Sequence, residues 1–328
     1  MKVISYTAEE DMNFLKRKLD LAFNNSYAGC VVALGFFDGV HLAHRKLISE
    51  AKKASILRRL PLIIFTFSGS NTSLKANTER LYSDEEKLSL LKECGADAVL
   101  ISDFEAVSEL DEVSFVSDFI IKTLNAAVAV VGYNFSFGKG ASGSCADLRK
   151  YMSLNGRECI SMEMFTDSGA PVSSTRIREL LRKKDMGEAA RLLGKPYFIT
   201  GNVQHGLGLG KTLGIPTVNT SLPGGRFSPP DGVYLSAVIL GGKKHASLTN
   251  IGVCPTFGER ASHIETYILG FNGDLYGEHI RIYLFEHLRD EKKFDSKKEL
   301  KEQIKSDTDK ALALWEDIKW QEIGLNLP

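Results

Sequence analysis

This sequence has no excess charge of either sign. Lysine plus arginine and aspartate plus glutamate each total 41 over 328 residues, so it carries no overall basic field with which to hold nucleic acid. Long apolar runs are also missing. None approaches the ~20 residues of a membrane-spanning helix, and the opening MKVISYTAEEDM has no apolar signal core. Cysteine is sparse. Cys30, Cys94, Cys145, Cys159 and Cys254 are scattered, odd in number and without CxxC spacing. That pattern argues against a disulfide frame or a zinc site and predicts reduced thiols in a cytoplasm. Internal repeats and low-complexity tracts are absent too. With 43% hydrophobic and 25% charged residues, the chain has the balance of an ordinary globular protein. Its length predicts two domains rather than one.

The two halves have different patterns. Cys30–Leu34, Leu62–Phe67, Ala98–Ile101 and Ala127–Val131 are short apolar runs. They alternate with helical stretches at His44–Arg59, Ser83–Cys94 and Ser114–Asn125. That alternation predicts βαβ units and a parallel sheet, which binds ligands at the carboxyl ends of its strands. In the second half Gly232–Leu240, His263–Phe271 and Ile280–Phe285 alternate like strands with no helix between them, and Gly241-Gly242 and Asn272-Gly273 are turn signals. This predicts a small antiparallel sheet or barrel. A closing helix follows, with Ser296 and Glu299 in capping-box spacing and an apolar stripe of Leu300, Ile304, Ala311 and Trp315. The boundary is expected near Arg182–Lys184, giving domains at 1–184 and 185–328.

The segment GNVQHGLGLGKTLGIPTVN (201–219) has the outline of a phosphate site. Gly206, Gly208 and Gly210 leave backbone N–H groups open to phosphate oxygens, and Lys211 adds a mobile positive charge. The spacing fits neither a Walker loop nor the dinucleotide fingerprint. A plain glycine-rich hairpin is the other reading. Thr217 and Asn219 weigh against it, because strand alternation puts both side-chain oxygens on one face, where they can meet a hard cation such as Mg²⁺.

Directly after Cys30–Leu34 comes GFFDGVHLAHRKL, which leads into a helix. His41 and His44, three apart at a helix start, lie on neighbouring faces of one turn beside orphan N–H groups, which suits a triphosphate. As imidazolium or as neutral N–H donors they can stabilise charge growing on an α-phosphoryl group. Otherwise Asp38 is only an N-cap and the histidines are surface groups. Further on, VSSTRIR (172–178) offers Ser173 or Ser174 as a cap, and Ser174, Thr175 and Arg178 as phosphate ligands.

GFFDGVHLAH with SSTRIR resembles the HxGH and SSTxIR signatures of the nucleotidylyltransferases. GYNFSFG (132–138) is similar to the flavin-side loop of bacterial FAD synthetases. GIPTVN, PPDGVY, NIGVCPTFG, IETYIL, DLYG and HLRDEKKFD, in that order, look like riboflavin kinase. Nearly the whole chain thus resembles the bifunctional bacterial riboflavin kinase/FMN adenylyltransferase family.

The resemblance implies a Rossmann-like amino-terminal domain and a small carboxy-terminal barrel using ATP and Mg²⁺. The substrates and products would be riboflavin, FMN and FAD. In the barrel Thr217 and Asn219 would hold the metal, and Gly206, Gly208, Gly210 and Lys211 would cover the phosphates. Glu265 would be the base and Arg289 would lie in the loop closing on flavin; read alone, Glu265 is the polar half of an alternating strand and Arg289 a surface charge. In the first domain Gly35, Phe37 and Asp38 would border ATP, His41 and His44 would bind it and assist adenylyl transfer, and Ser174, Thr175 and Arg178 would clamp its phosphates. Asn134 would lie near the flavin, or else simply form a turn.

Small molecules are the only partners implied, with no nucleic acid and no membrane, for a monomer or weak homo-oligomer. Three positions depart from the family pattern. Ala43 stands where it has glycine, Ser68-Gly69-Ser70-Asn71 replaces an Asp-Pro-His-Pro stretch, and Gly270 replaces a common aspartate. The first two make a monofunctional kinase with a degenerate front half the alternative reading.

Overall fold

Apolar runs with no alternation become strands covered on both faces. β2 (Cys30–Leu34) is buried at all five positions. It lies in an all-parallel sheet with β1 (Lys2–Tyr6), β3 (Leu62–Phe67), β4 (Ala98–Ser102), β5 (Ala126–Gly132) and β6 (Glu158–Met162). The order is β1-β4-β3-β2-β5-β6. The chain winds outward in one direction from β2 and resumes on its other side with β5, so the switch point falls between β2 and β5. The computed structural model describes residues 1–69, 79–204, 215–222, 225–253 and 262–320. These fall into two units, Met1–Val172 and Ser173–Pro328.

The longer α-helices of the first unit are α1 (Met12–Ala22), α2 (Leu42–Arg58), α3 (Asp84–Glu93) and α4 (Cys145–Leu154). Ser83 and Glu86 close a full capping box on α3. The helix expected over Ser114–Asn125 is instead a turn at Glu112–Ser114 running into a π-type helix, Phe115–Thr123. Its wider winding buries Phe115, Val116, Phe119, Ile120 and Thr123 together. Edge strands β1 and β6, and helices α1 and α4, had no strong periodic signal in the sequence.

The second unit opens with α5 (Ser174–Arg182), packed on α6 (Met186–Leu193). Six antiparallel strands follow: β7 (Phe198–Asn202), β8 (Thr217–Ser221), β9 (Gly232–Leu240), β10 (Lys243–Val253), β11 (Ser262–Ile268) and β12 (His279–Arg289). They are ordered β7-β12-β9-β10-β11-β8. The two edges meet: the Gln204 amide donates to the Asn219 carbonyl at 2.9 Å. A Cβ added at Gly201 would lie only 3.1 Å from that of Thr220. The sheet is therefore a nearly closed barrel.

Gly241 (φ 54°) and Gly242 (φ 78°) form the two-residue hairpin between β9 and β10. Asn272-Gly273 instead sits within the longer connection 269–278. β11 stops at Ile268, short of Phe271, because the chain turns through Gly270 at φ 69°. Inside the barrel, hydrogen bonds of 2.8 and 2.9 Å link the buried hydroxyls of Ser236, Thr249 and Thr266. Outside, α7 (Lys297–Glu316) sets Ala311, Leu314 and Trp315 against Val233, Leu235, Leu248 and Leu288. Ser296 caps α7, but the Glu299 carboxylate accepts from the Asp295 amide instead of completing the box. No helix among the described residues is long and apolar enough to cross a membrane.

Candidate active sites

The loop after β2 lies at the switch point and is backbone-strained. Phe37 (φ 50°), Gly39 (φ 86°) and Val40 (φ 42°) all have positive φ, and Val40 is β-branched. At Phe37 and Val40 such conformations cost ~1–3 kcal/mol each, whereas Gly39 adopts its own freely; they persist here because Phe37 and Val40 are fully buried. The loop aims His41 and His44 together. Their rings stack at 3.6 Å with 15° between planes, and Phe37 meets His44 edge-on at 5.3 Å. His41 itself is the N-cap of α2, its Nδ1 accepting from the His44 amide at 3.4 Å. In neutral His41 the proton therefore sits on Nε2.

Burial pulls the His41 imidazolium down to about 4. The same effect, strengthened by His41 beside it, pushes His44 well below the ordinary histidine range. Both rings are thus neutral N–H donors at neutral pH. The buried Nδ1 of His44 has no partner among the described residues, so it remains available to a ligand.

The neighbours of this turn have more structural duties. Asp38 caps no helix. Its carboxylate accepts from the Leu81 amide at 2.8 Å. Gly35 packs against Phe37, so that a Cβ there would lie 3.2 Å from the ring. Asn134 is exposed in the turn after β5, across the switch point from β2. Exposed Phe36 rests on Phe67 at 4.9 Å, and its carbonyl accepts from Thr66 Oγ1 at 2.9 Å.

In the second unit Ser173, not Ser174, caps α5, accepting from the Arg176 amide at 3.3 Å. Thr175 is exposed, Ser174 is half-buried, and Arg178 is buried with Nη2 3.5 Å from Thr175 Oγ1. Arg289 is the last residue of β12. Its Nε lies 2.9 Å and its Nη2 2.9 Å from Asp307 Oδ2, which ties it to α7.

Barrel register assembles the other site. On β11 the inward residues are Ile264, Thr266 and Ile268, so Glu265 faces outward. Asn219 of β8 stands directly opposite Glu265, and Asn250 of β10 stands opposite it on the other side. Directly opposed residues share a face, with Cβ atoms ~5 Å apart. Thr217, two residues from Asn219, joins the same face. Glu265 is not buried without a partner: its side chain is 37% exposed, with His263 Nε2 3.5 Å from its carboxylate. Asn219 is buried, and its Oδ1 has no hydrogen-bond partner among the described residues. An orphaned amide oxygen beside a hydroxyl and a carboxylate is a donor set suited to a hard cation.

Gly206, Gly208, Gly210 and Lys211, together with Ser70 and Asn71, lie outside the described residues. Sequence reasoning missed Asn250 because only cross-strand register places it beside Glu265.

A riboflavin kinase family model matches residues 193–315, and an FAD synthetase model matches 24–176. A bifunctional riboflavin kinase/FMN adenylyltransferase of Escherichia coli (strain K12) is 37% identical over 284 residues, covering 85% of this chain and 90% of that protein. The Bacillus subtilis (strain 168) protein of the same name is 34% identical over 301 residues, covering 89% and 94%. A crystal structure from Streptococcus pneumoniae, described as a macrolide-efflux protein, shares the fold. Its TM-score is 0.79 at 29% identity, covering 93% of this chain and 98% of that one. The parallel-sheet unit and the barrel follow one another as the two family models do, and the likeness spans most of both chains, so this protein belongs to the bifunctional riboflavin kinase/FMN adenylyltransferase family.

Proposed function

We propose that the chain phosphorylates riboflavin to FMN with ATP and then adenylylates FMN to FAD, releasing pyrophosphate. Residues 185–328 would carry the first reaction and 1–184 the second, in the cytoplasm. The observation that carries the kinase assignment is the register setting Asn219 opposite Glu265. In that reading the Glu265 carboxylate takes the proton from the ribityl 5′-hydroxyl as its oxygen attacks the γ-phosphorus and ADP leaves. Asn219 Oδ1 and the Thr217 hydroxyl would hold Mg²⁺, which when bound neutralises phosphate charge. Gly206, Gly208, Gly210 and Lys211 fit the same ATP by their chemistry. Arg289, fixed by Asp307, would act by shaping the flavin side of the barrel.

For the second reaction, a phosphate oxygen of FMN attacks the α-phosphorus of ATP, forming one P–O bond as the bond to pyrophosphate breaks. Neutral His41 and His44 would donate N–H groups to the α-phosphoryl oxygens, a contact that strengthens as charge grows there. Ser174, Thr175 and Arg178, in the second unit, carry hydroxyls and a guanidinium whose chemistry suits phosphate. Gly35, Phe37 and Asp38 would border the nucleotide and Asn134 the flavin. The preserved histidine stack favours this reading over a degenerate front half.

Incubating the full chain with riboflavin, ATP and Mg²⁺ and separating the flavins by chromatography tests the proposal. FMN should appear first and FAD after it. FMN alone, even on long incubation with FMN supplied, would reject the second activity; no FMN would reject the first.

A further inference from the structure

Among the described residues, one buried cation of the first unit is used by none of the chemistry above. Lys87, on α3, is 6% exposed. Its ammonium donates to the Phe67 carbonyl, the last of β3, at 2.6 Å, and lies 3.4 Å from the Asp84 carboxylate. Burial pulls its pKa down while Asp84 pushes it back up. The other oxygen of Asp84 accepts from the Gly69 amide at 2.8 Å, and its first oxygen accepts from Arg80 at 3.0 Å. The Arg80 guanidinium lies so close over Gly69 that a Cβ there would fall 1.4 Å from its Nη1. The first turn of α3 thus grips Phe67 and Gly69.

What Lys87 holds leads straight to the histidine loop. Phe67, whose carbonyl it fixes, supports the exposed ring of Phe36. Thr66, one residue earlier, holds the Phe36 carbonyl. Asp38, two residues past Phe36, is tied to Leu81 on the segment leading into α3. We infer that Lys87 is a positioning residue for adenylyl transfer: its ammonium anchors the carboxyl end of β3 and, through Phe67 and Phe36, sets the strained loop that presents His41 and His44. The inference rests on the assignment of adenylyl transfer to the first unit. The plainer role for Lys87 is to neutralise Asp84.

Because both reactions belong to one chain, riboflavin phosphorylation serves as an internal control. FAD formation from FMN and FMN formation from riboflavin would be measured on the same preparations of the full chain, with far-ultraviolet circular dichroism checking the fold. Lys87→Met should slow kcat for FAD formation on the order of tenfold to a hundredfold, the scale of ~1 Å misplacements, with kinase turnover unchanged. Asp84→Asn keeps an acceptor for Gly69 and should stay near the unaltered rate. Asp84→Asn/Lys87→Met restores the original net charge of the Arg80–Asp84–Lys87 cluster and should remain as slow as the single lysine variant; it carries the comparison if Lys87→Met does not fold.

Recovery of FAD formation in the double variant would overturn the inference in favour of charge balance. So would an unaltered rate in folded Lys87→Met, or an equal loss in Asp84→Asn alone. An unaltered chain that makes FMN but no FAD would overturn the assignment of the first unit, and the inference with it.

Discussion

Acid should loosen the first unit through His41 by an amount the structure sets. The unfolded chain binds a proton at the ordinary histidine value of 6.5, whereas the buried ring binds one only near 4. Between those values the unfolded chain holds more protons, so stability rises with pH and is lost as pH falls. Going from about pH 7.5 to about pH 5 favours the unfolded state ~30-fold, or about 2 kcal/mol from this one ring. His44, shifted in the same direction, adds to the loss.

His41→Asn removes the titration and keeps the helix start, since asparagine is a good N-cap. Urea unfolding would be followed across this pH range. The chain has two tryptophans, Trp315 and Trp320, both in the second unit, so their fluorescence follows that unit alone. The part of the circular dichroism transition that fluorescence does not track reports the first unit. The acid loss in this part should be about 2 kcal/mol smaller in the variant. Parallel pH curves for the two proteins would refute the reasoning and place His41 in contact with water.

Three substitutions probe the barrel. Glu265→Gln should abolish FMN formation while leaving FAD formation from supplied FMN intact; loss of both in a folded variant would contradict separate sites. Asn219→Ala should raise the Mg²⁺ concentration needed for half-maximal kinase rate and cost under ~1 kcal/mol of metal-free stability, because the lost oxygen makes no hydrogen bond. Unchanged metal dependence in a titration of the rate would remove Asn219 as a ligand. Arg289→Ala leaves Asp307, 5% exposed, with Gln303 but no cation among the described residues. It should therefore destabilise the second unit by about 3 kcal/mol, read by tryptophan fluorescence; a stable variant defective only in flavin binding would make Arg289 a substrate contact first.

Local information was readable in the sequence and cross-strand information was not. Cys30–Leu34 and Leu62–Phe67 were placed to the residue because an unbroken apolar run between turn signals has one solution in a covered sheet. β1 and β6, at the sheet's edges, lack an unbroken apolar run, and α1 and α4 were not read from the sequence although each has a buried apolar face, Leu15 with Leu19 and Leu148 with Met152. The alternation that put Thr217 and Asn219 on one side of a strand was visible. Their alignment with Glu265 depends on pairing two segments far apart in the chain, which neither segment encodes alone. Two histidines at a helix start were visible, but not that one would cap the helix while both lost their charge to burial. Nothing in the sequence marks Lys87, because the carbonyl it holds gives no side-chain signal.

The Gln204–Asn219 bridge makes one residue answerable for two requirements. The Asn219 main chain seals the barrel seam while its side chain faces the site where phosphate would be handled. A slip of β8 by one position would open the seam and turn Val218 or Thr220 to the face opposite Glu265, so under the proposed function a misassembled barrel would be inactive as well as leaky. Selection acting on turnover alone would then police the fold at this strand without any separate pressure for stability.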